Sequence, residues 1–111
     1  MDTKVTICVG LNDKDTKHQE ITTDAAKALI FQDVVNCFGF GTISDASGVY
    51  THGDGSGAVV VETTIKIEIT FFDADKAAAV ELVRPFVLDI KKALNQETIY
   101  TDFVTCDAFL F

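Results

Sequence analysis

The hydrophobic residues of this chain recur at two different spacings, and the changes of spacing predict six elements. Alternating apolar and polar positions predict strands at Lys4–Leu11, Thr42–Tyr50, Val59–Phe71 and Thr98–Phe109. Apolar positions three and four residues apart predict amphipathic helices at 23–38 and Asp73–Leu94. The order is therefore strand, helix, strand, strand, helix, strand.

The ends and faces of these elements can be predicted as well. Thr22 or Thr23 is expected to cap the first helix, and Gly39 to end it. Asp73 is expected to cap the second helix, and Pro85 to kink or split it. In the strongest strand, one face is expected to be buried and the other solvated. The buried face carries Val59, Val61, Thr63, Ile65, Ile67, Ile69 and Phe71, and the solvated face carries Glu62, Thr64, Lys66, Glu68 and Thr70.

This order predicts an α+β fold with ferredoxin-like βαββαβ topology, in which two helices cover one face of a four-stranded antiparallel sheet. We expect residues 1–111 to form this single domain, because the length suits one core. Right-handed crossovers then bring three connecting segments to the same end of the domain: Asn12–Glu20, Tyr50–Glu62 and Asn95–Glu97. Both histidines lie in these segments, so this end is the predicted functional end.

The charge of the chain excludes some classes of partner. The formal net charge is −8, and only Arg84 of the nine basic residues is an arginine. Direct binding to nucleic acid or to an anionic membrane surface is therefore not expected. The three cysteines form no CxxC pair and the first residues form no apolar leader, so we expect buried, reduced thiols in a cytoplasmic protein.

No catalytic motif is present, so an enzyme is not expected. His18 and His52 do not stand in paired His-x-Thr/Ser motifs, although either imidazole could act in general acid–base catalysis. Asp13, Asp15 and Glu20 lack the glycine and the spacing of a calcium loop, so no metal and no cofactor are expected. The glycine-rich run 51–57 joins two strands, which is typical of a hairpin tip rather than of a phosphate loop.

Polar residues of the three segments are the candidate ligand-binding residues. Lys14, Lys17 and His18 would donate to phosphates, Tyr50 or His52 would stack on a base, and Glu62, Gln96 and Glu97 would bind its polar edge or ribose hydroxyls. The complete candidate set is Asn12, Lys14, Thr16, Lys17, His18, Tyr50, His52, Glu62, Gln96 and Glu97.

Two resemblances to known families add further expectations. The run 10–17 (GLNDKDTK), with 61–63 (VET) and 95–99 (NQETI), resembles a family of small bacteriophage and mobile-element proteins, which implies a phage-type origin but no particular activity. The segments 42–48 and 65–69 are more weakly similar to PII-like signalling proteins. That resemblance implies a ferredoxin-like trimer that binds nucleotides in clefts between its subunits.

The leading hypothesis is a non-enzymatic counter-defence protein that sequesters a small ligand, above all a nucleotide immune signal, at the three-segment end. One alternative is an acidic inhibitor that masks a basic surface of a host defence enzyme. Another is a small phosphodiesterase-like enzyme. A homo-oligomer, a dimer or a trimer, is expected because the outer sheet face carries small residues and the chain ends on Phe109, Leu110 and Phe111.

Overall fold

A computed structural model describes all 111 residues and contains the six predicted elements. The four strands are β1 (Asp2–Gly10), β2 (Thr42–Thr51), β3 (Val59–Phe71) and β4 (Tyr100–Cys106). The two helices are α1 (Thr23–Phe38) and α2 (Lys76–Ala93). The strands form one sheet in the order β2-β3-β1-β4, and every neighbouring pair is antiparallel. The predicted ferredoxin-like α+β fold is confirmed.

The core lies between the helices and one face of the sheet. Val5, Ile7 and Val9 of β1 point to this face, and their β3 partners are Ile69, Ile67 and Ile65. All six are at most 1% exposed. Ala26, Ile30 and Val34 of α1 and Ala79, Val83, Phe86 and Ile90 of α2 complete the opposite wall. Burial of each large side chain contributes about 1.5–3 kcal/mol, which fixes the register of the sheet.

The ends of α1 follow the sequence prediction. The Thr22 hydroxyl accepts a hydrogen bond from the backbone N–H of Ala25 at 3.1 Å. Gly39 follows the helix in the left-handed conformation, with φ at 83°, and its N–H donates to the Val35 carbonyl. A residue with a Cβ would be strained there, so glycine is the natural end of this helix.

Helix α2 differs from the prediction in two respects. Its N-cap is Asp75 rather than Asp73, and the Asp75 carboxylate accepts from the Ala78 N–H at 2.8 Å. Asp73 instead occupies a left-handed turn with φ at 54°, where its N–H donates to the Asp2 carboxylate. The helix is not split, because it continues through Pro85. Pro85 is exposed, so water can reach the carbonyl that the proline leaves without an intrahelical partner.

The β2–β3 hairpin extends beyond the helices, and the molecule measures 46 × 28 × 24 Å. The prediction that Val59 and Val61 are buried is therefore wrong, since these side chains are 65% and 64% exposed. Their alternation continues the core pattern, but no helix lies above this part of β3. The pattern of one strand cannot reveal where its covering helix ends.

Two further expectations need correction. Strand β4 ends at Cys106 rather than at Phe109. The cysteines are free, as expected, but they are not buried: Cys37 is exposed, and Cys8 and Cys106 are partly exposed. No helix has both the length and the apolar composition that a membrane span requires.

Candidate functional site

A cleft of about 820 Å³ opens at the predicted functional end and continues along the outer face of the sheet, which is the face without helices. Its floor is formed by the outward-facing residues of the strands. These are Cys8 and Gly10 of β1, Gly48 and Tyr50 of β2, Val60, Glu62 and Thr64 of β3, and Tyr100 of β4. The three connecting segments form its rim.

Eight of the ten candidate residues line this cleft. The first segment contributes Asn12, Lys14 and Lys17. The hairpin contributes Tyr50, His52 and Glu62, and the segment before β4 contributes Gln96 and Glu97. Residues from three distant parts of the sequence thus share one concave surface, and their role in binding stays a prediction.

Thr16 and His18 are the two candidates that the fold keeps away from the cleft. The His18 N–H donates to the Thr16 hydroxyl at 3.3 Å, and the His18 carbonyl accepts from the Asp13 N–H at 2.8 Å. Both residues are exposed and serve the turn of the first segment. Sequence alone does not distinguish such turn residues from residues that face the cleft.

Glu62 has an unusual position on the cleft floor. Its carboxylate lies directly over Gly10, where a Cβ on Gly10 would collide with it. The Glu62 Cγ also lies 3.4 Å from the position of a Cβ on Gly48. Glycine inside a strand often marks such a close approach. Gly10 therefore provides the space in which this carboxylate lies on the sheet.

A backbone hydrogen bond holds this carboxylate in place. The backbone N–H of Asn12 donates to Glu62 Oε2 at 2.9 Å. The Tyr50 phenol lines the same cleft. Burial and then the charge of Glu62 raise its pKa, while a hydrogen bond with the Asn12 side chain lowers it. Burial also raises the pKa of the neighbouring Cys8 thiol. The floor thus combines a fixed carboxylate with a protonated phenol.

The segment before β4 fixes the first segment against the cleft. The Gln96 side chain is 7% exposed and donates from Nε2 to the Asn12 carbonyl at 2.9 Å and to the Leu94 carbonyl at 3.1 Å. Gln96 therefore holds the residue whose N–H binds Glu62. The sequence predicts Gln96 as a ligand contact, whereas its amide nitrogen is already engaged in positioning.

The Asn95 side chain makes a second set of links. Its Nδ2 donates at 2.9 Å to both Asp13 Oδ2 and Asp15 Oδ2. Hydrogen bonds from Asn95 and from the backbone N–H groups of Thr16 and Asp15 lower the pKa of Asp13. These carboxylates therefore organise the segment. No group of three or more histidine, cysteine or acidic side chains is arranged to hold a metal ion.

The lining of the cleft is net acidic. Four acids, Asp13, Asp54, Glu62 and Glu97, face two lysines, Lys14 and Lys17. Both tyrosines of the chain also line it. Aromatic faces and carboxylates together suit a ligand that carries an aromatic base and a positive charge.

Apart from Tyr50 and Glu62, the floor of the cleft is the part of the site that the sequence does not predict. Gly10 and Gly48 interrupt strands, which is a usable signal of close approach. Cys8, Thr64 and Tyr100 give no such signal, because each is an ordinary outward-facing position of a strand. Only the register of the sheet places them beside Glu62.

Comparison with known proteins identifies structural neighbours only. No protein-family model matches the chain, and no curated protein is similar to it in sequence. A phage SAM lyase in complex with S-methyl-5'-thioadenosine is similar in structure at 23% identity, with a TM-score of 0.67 over 93% of this chain and 80% of that chain. A phage SAM lyase in the apo state is similar at 21% identity, with a TM-score of 0.65 over 92% and 78%. CutA from Synechococcus elongatus follows at 12% identity and a TM-score of 0.48, over 95% and 76%.

These findings correct one expectation and support part of another. The expectation that the chain is not an enzyme is contradicted, because two structures of a phage SAM lyase share its fold over 92–93% of the chain. The resemblance to phage proteins is supported to the extent that these neighbours are phage proteins, while no family model supports the three motifs. At these identities the comparison shows a shared fold.

Proposed function

We propose that this protein is a phage-type lyase that cleaves S-adenosylmethionine (SAM) in the outer-face cleft. The observation that carries the proposal is the Glu62 carboxylate, which lies on Gly10, is held by the Asn12 N–H and has the Tyr50 phenol nearby. A fixed carboxylate in a partly desolvated cleft suits a substrate with a cationic centre, because ordered charges need no reorganisation during reaction. The two phage SAM lyase structures, which share the fold, support the same choice.

The charge of the cleft favours this substrate over an anionic nucleotide. A polyphosphate would face four acids and only two lysines. SAM carries a sulfonium and an ammonium cation against one carboxylate, so its net charge complements the lining. Tyr50, His52 or Tyr100 provides a ring against which the adenine can stack.

The proposed reaction breaks the bond between the sulfonium sulfur and the four-carbon amino-acid fragment. The bonding electron pair goes to sulfur, which leaves as the neutral thioether S-methyl-5'-thioadenosine. The fragment is completed without water, by ring closure through its own carboxylate or by loss of a proton to a base. Glu62 holds the cationic centre in position for this step, and the Asn12 N–H fixes the orientation of its carboxylate.

This proposal modifies the counter-defence hypothesis. The small ligand would be removed by cleavage rather than by sequestration, which would deplete the methyl donor of the host. The concave cleft supports a small-molecule ligand over the alternative of a protein-masking inhibitor, which requires a convex acidic surface. The three free cysteines favour a reducing compartment, and we propose that the protein acts in the cytoplasm.

We also propose that the protein is a homo-oligomer, either a dimer or a trimer. Val49, Val59 and Val61 are between 64% and 65% exposed on the overhanging hairpin, and Phe109, Leu110 and Phe111 are at least 74% exposed. A second copy that covers these side chains would remove apolar surface from water. Light scattering should therefore report more than one chain per particle, and deletion of the last three residues should weaken assembly before it unfolds the core.

The direct test of the proposed activity is incubation of the purified protein with SAM, followed by chromatography for S-methyl-5'-thioadenosine. The wild type should release it, and Glu62→Gln should be slower by about 100-fold, since misplacement of a substrate at the reacting centre costs about 10² in rate. Glu20→Gln is the matched control, because it removes the same charge from an exposed residue outside the cleft. Equal rates for wild type and Glu62→Gln, or no release by wild type, would contradict the proposal.

A further inference from the structure

A second hollow of about 420 Å³ adjoins the cleft on the side of α2. All six of its lining residues are polar: Lys14, Asp15, Lys17, Lys91, Gln96 and Glu97. Three of the nine basic residues of a strongly acidic chain thus meet around one depression. This concentration of positive charge is the opposite of the charge on the cleft floor.

None of the three lysines forms an ion pair with an acidic side chain, although Asp15 and Glu97 also line the hollow. The four ion pairs of the structure involve Lys4, Lys27, Lys66 and Arg84. Asp15 lies at the hollow, but its carboxylate accepts a hydrogen bond from Asn95. The ammonium groups are therefore available to an anion from outside the chain.

The backbone positions of two of these lysines are fixed. The Lys14 N–H donates to the Asn95 carbonyl at 3.0 Å, and the Lys17 N–H donates to the Asp13 carbonyl at 2.9 Å. Lys17 has a φ of 65°, a left-handed conformation that is unfavourable for a residue with a Cβ. The turn built around Asp13 imposes this conformation, and it directs both lysines to the same hollow.

The hollow and the cleft form a continuous surface. Lys14, Lys17, Gln96 and Glu97 line both. One ligand can therefore place a cationic centre near Glu62 and an anionic group among the lysines. The ligand chemistry that fits is a zwitterion with an aromatic base.

We infer that the lysine hollow binds the carboxylate of the amino-acid tail of the substrate, and that it selects ligands that carry this group. The inference rests on the proposed function and assigns a separate subsite for the tail. S-adenosylmethionine and S-adenosylhomocysteine carry the carboxylate, whereas decarboxylated S-adenosylmethionine and S-methyl-5'-thioadenosine do not. The hollow would therefore bind S-adenosylmethionine and S-adenosylhomocysteine in preference to decarboxylated S-adenosylmethionine and S-methyl-5'-thioadenosine.

The test is calorimetric binding of S-adenosylhomocysteine and S-methyl-5'-thioadenosine to the wild type and to the double variant Lys14→Gln/Lys17→Gln. The variant should bind S-adenosylhomocysteine at least tenfold more weakly and S-methyl-5'-thioadenosine within twofold of wild type. Lys92→Gln is the matched control, because Lys92 shares the last turn of α2 with Lys91 but lies outside the hollow. Thermal melting of each variant shows that the fold is retained.

The outcomes separate the two proposals. Equal weakening of both ligands, or weakening of neither, would overturn the tail subsite while the proposed function stands. Failure of the wild type to bind either ligand would overturn the proposed function and the subsite with it.

Discussion

The two faces of the sheet use the same strands for different purposes. On the inner face of β1, Val5, Ile7 and Val9 are fully buried against the helices. On the outer face, the alternate residues Cys8 and Gly10 form the floor of an open cleft. Successive side chains of a strand point to opposite sides of the sheet. Neighbouring residues of β1 therefore belong in turn to the core and to the cleft floor. Substitutions at alternating positions should therefore separate stability from binding.

The largest effect is expected on the inner face. Ile67→Ala removes a side chain that is 0% exposed and should lower the free energy of unfolding by about 2–5 kcal/mol. Chemical denaturation of the variant and the wild type measures this difference. A cost below about 1 kcal/mol would show that the faces of β3 have been assigned wrongly.

On the outer face, Gly10→Ala should impair function without unfolding the protein. The new methyl group would push the Glu62 carboxylate away from the Asn12 N–H, while replacement of a strand glycine by alanine favours folding by roughly 0.5–1 kcal/mol. We expect at least a tenfold loss of lyase activity with an unchanged or raised melting temperature.

Gly53→Ala is the control for this substitution, because no atom lies within 4 Å of the added Cβ. It should leave activity and melting temperature close to those of the wild type. Full activity of Gly10→Ala would mean that the position of Glu62 on the sheet is unimportant.

An intermediate effect is expected in the titration of Tyr50. Burial and the charge of Glu62 raise the pKa of this phenol, so the folded protein favours its protonated form. The resulting contribution to stability is present below the ordinary tyrosine pKa and is lost as the pH rises through the raised value. The chain has two tyrosines and no tryptophan, so ultraviolet absorbance reports their ionisation clearly.

In a Tyr100→Phe background, only Tyr50 remains to be titrated. Glu62→Gln in that background should lower the pKa of Tyr50, because the neighbouring negative charge is removed. An unchanged titration would show that Glu62 and Tyr50 do not interact in solution.

The smallest effect is expected from Glu68→Ala, which lies on the outer face beyond the cleft. The Glu68 carboxylate is 2.8 Å from Lys4 Nζ and 3.3 Å from Lys66 Nζ, and the hydrogen bonds from these lysines, Lys4 first, lower its pKa. Such exposed pairs contribute less than about 1 kcal/mol.

Because the pKa of Glu68 is lowered, the contribution is present above the ordinary glutamate pKa and is lost as the pH falls through the lowered value. Denaturation at neutral and acidic pH should show a difference at neutral pH that shrinks in acid, and a cost well above 1 kcal/mol would instead indicate that this face is an interface.

The fold could be predicted from the sequence because its signals are local. The spacing of apolar residues predicts α1 with its correct bounds, and Thr22 and Gly39 mark its ends. The errors arise where tertiary structure decides. Asp73 and Asp75 are equally good caps in sequence, and the turn held by Asp2 selects Asp75.

The topology of the fold predicts which segments contribute to the site, but not the exact positions of their side chains. Right-handed crossover places Asn12, Glu62 and Gln96 at one end of the domain, and the structure brings them to one cleft. The position of Glu62 on Gly10 depends on the register of β1 and β3, which the sequence does not specify at single-residue level. The expectation of a non-enzyme rested on the absence of a catalytic motif. The phage SAM lyase structures that contradict it are only 21–23% identical to this chain, so the likeness lies in the fold and not in a motif.

The most direct test of the central claim is an NMR titration of isotope-labelled protein with S-methyl-5'-thioadenosine. If the outer-face cleft is the ligand site, the backbone amide signals of Gly10, Asn12, Gly48 and Thr64 should shift together and saturate at one ligand per cleft. The amides around Ala26 and Ala79, on the helix side of the sheet, should shift least. Shifts confined to the helix side, or no shift at saturating ligand, would contradict the account.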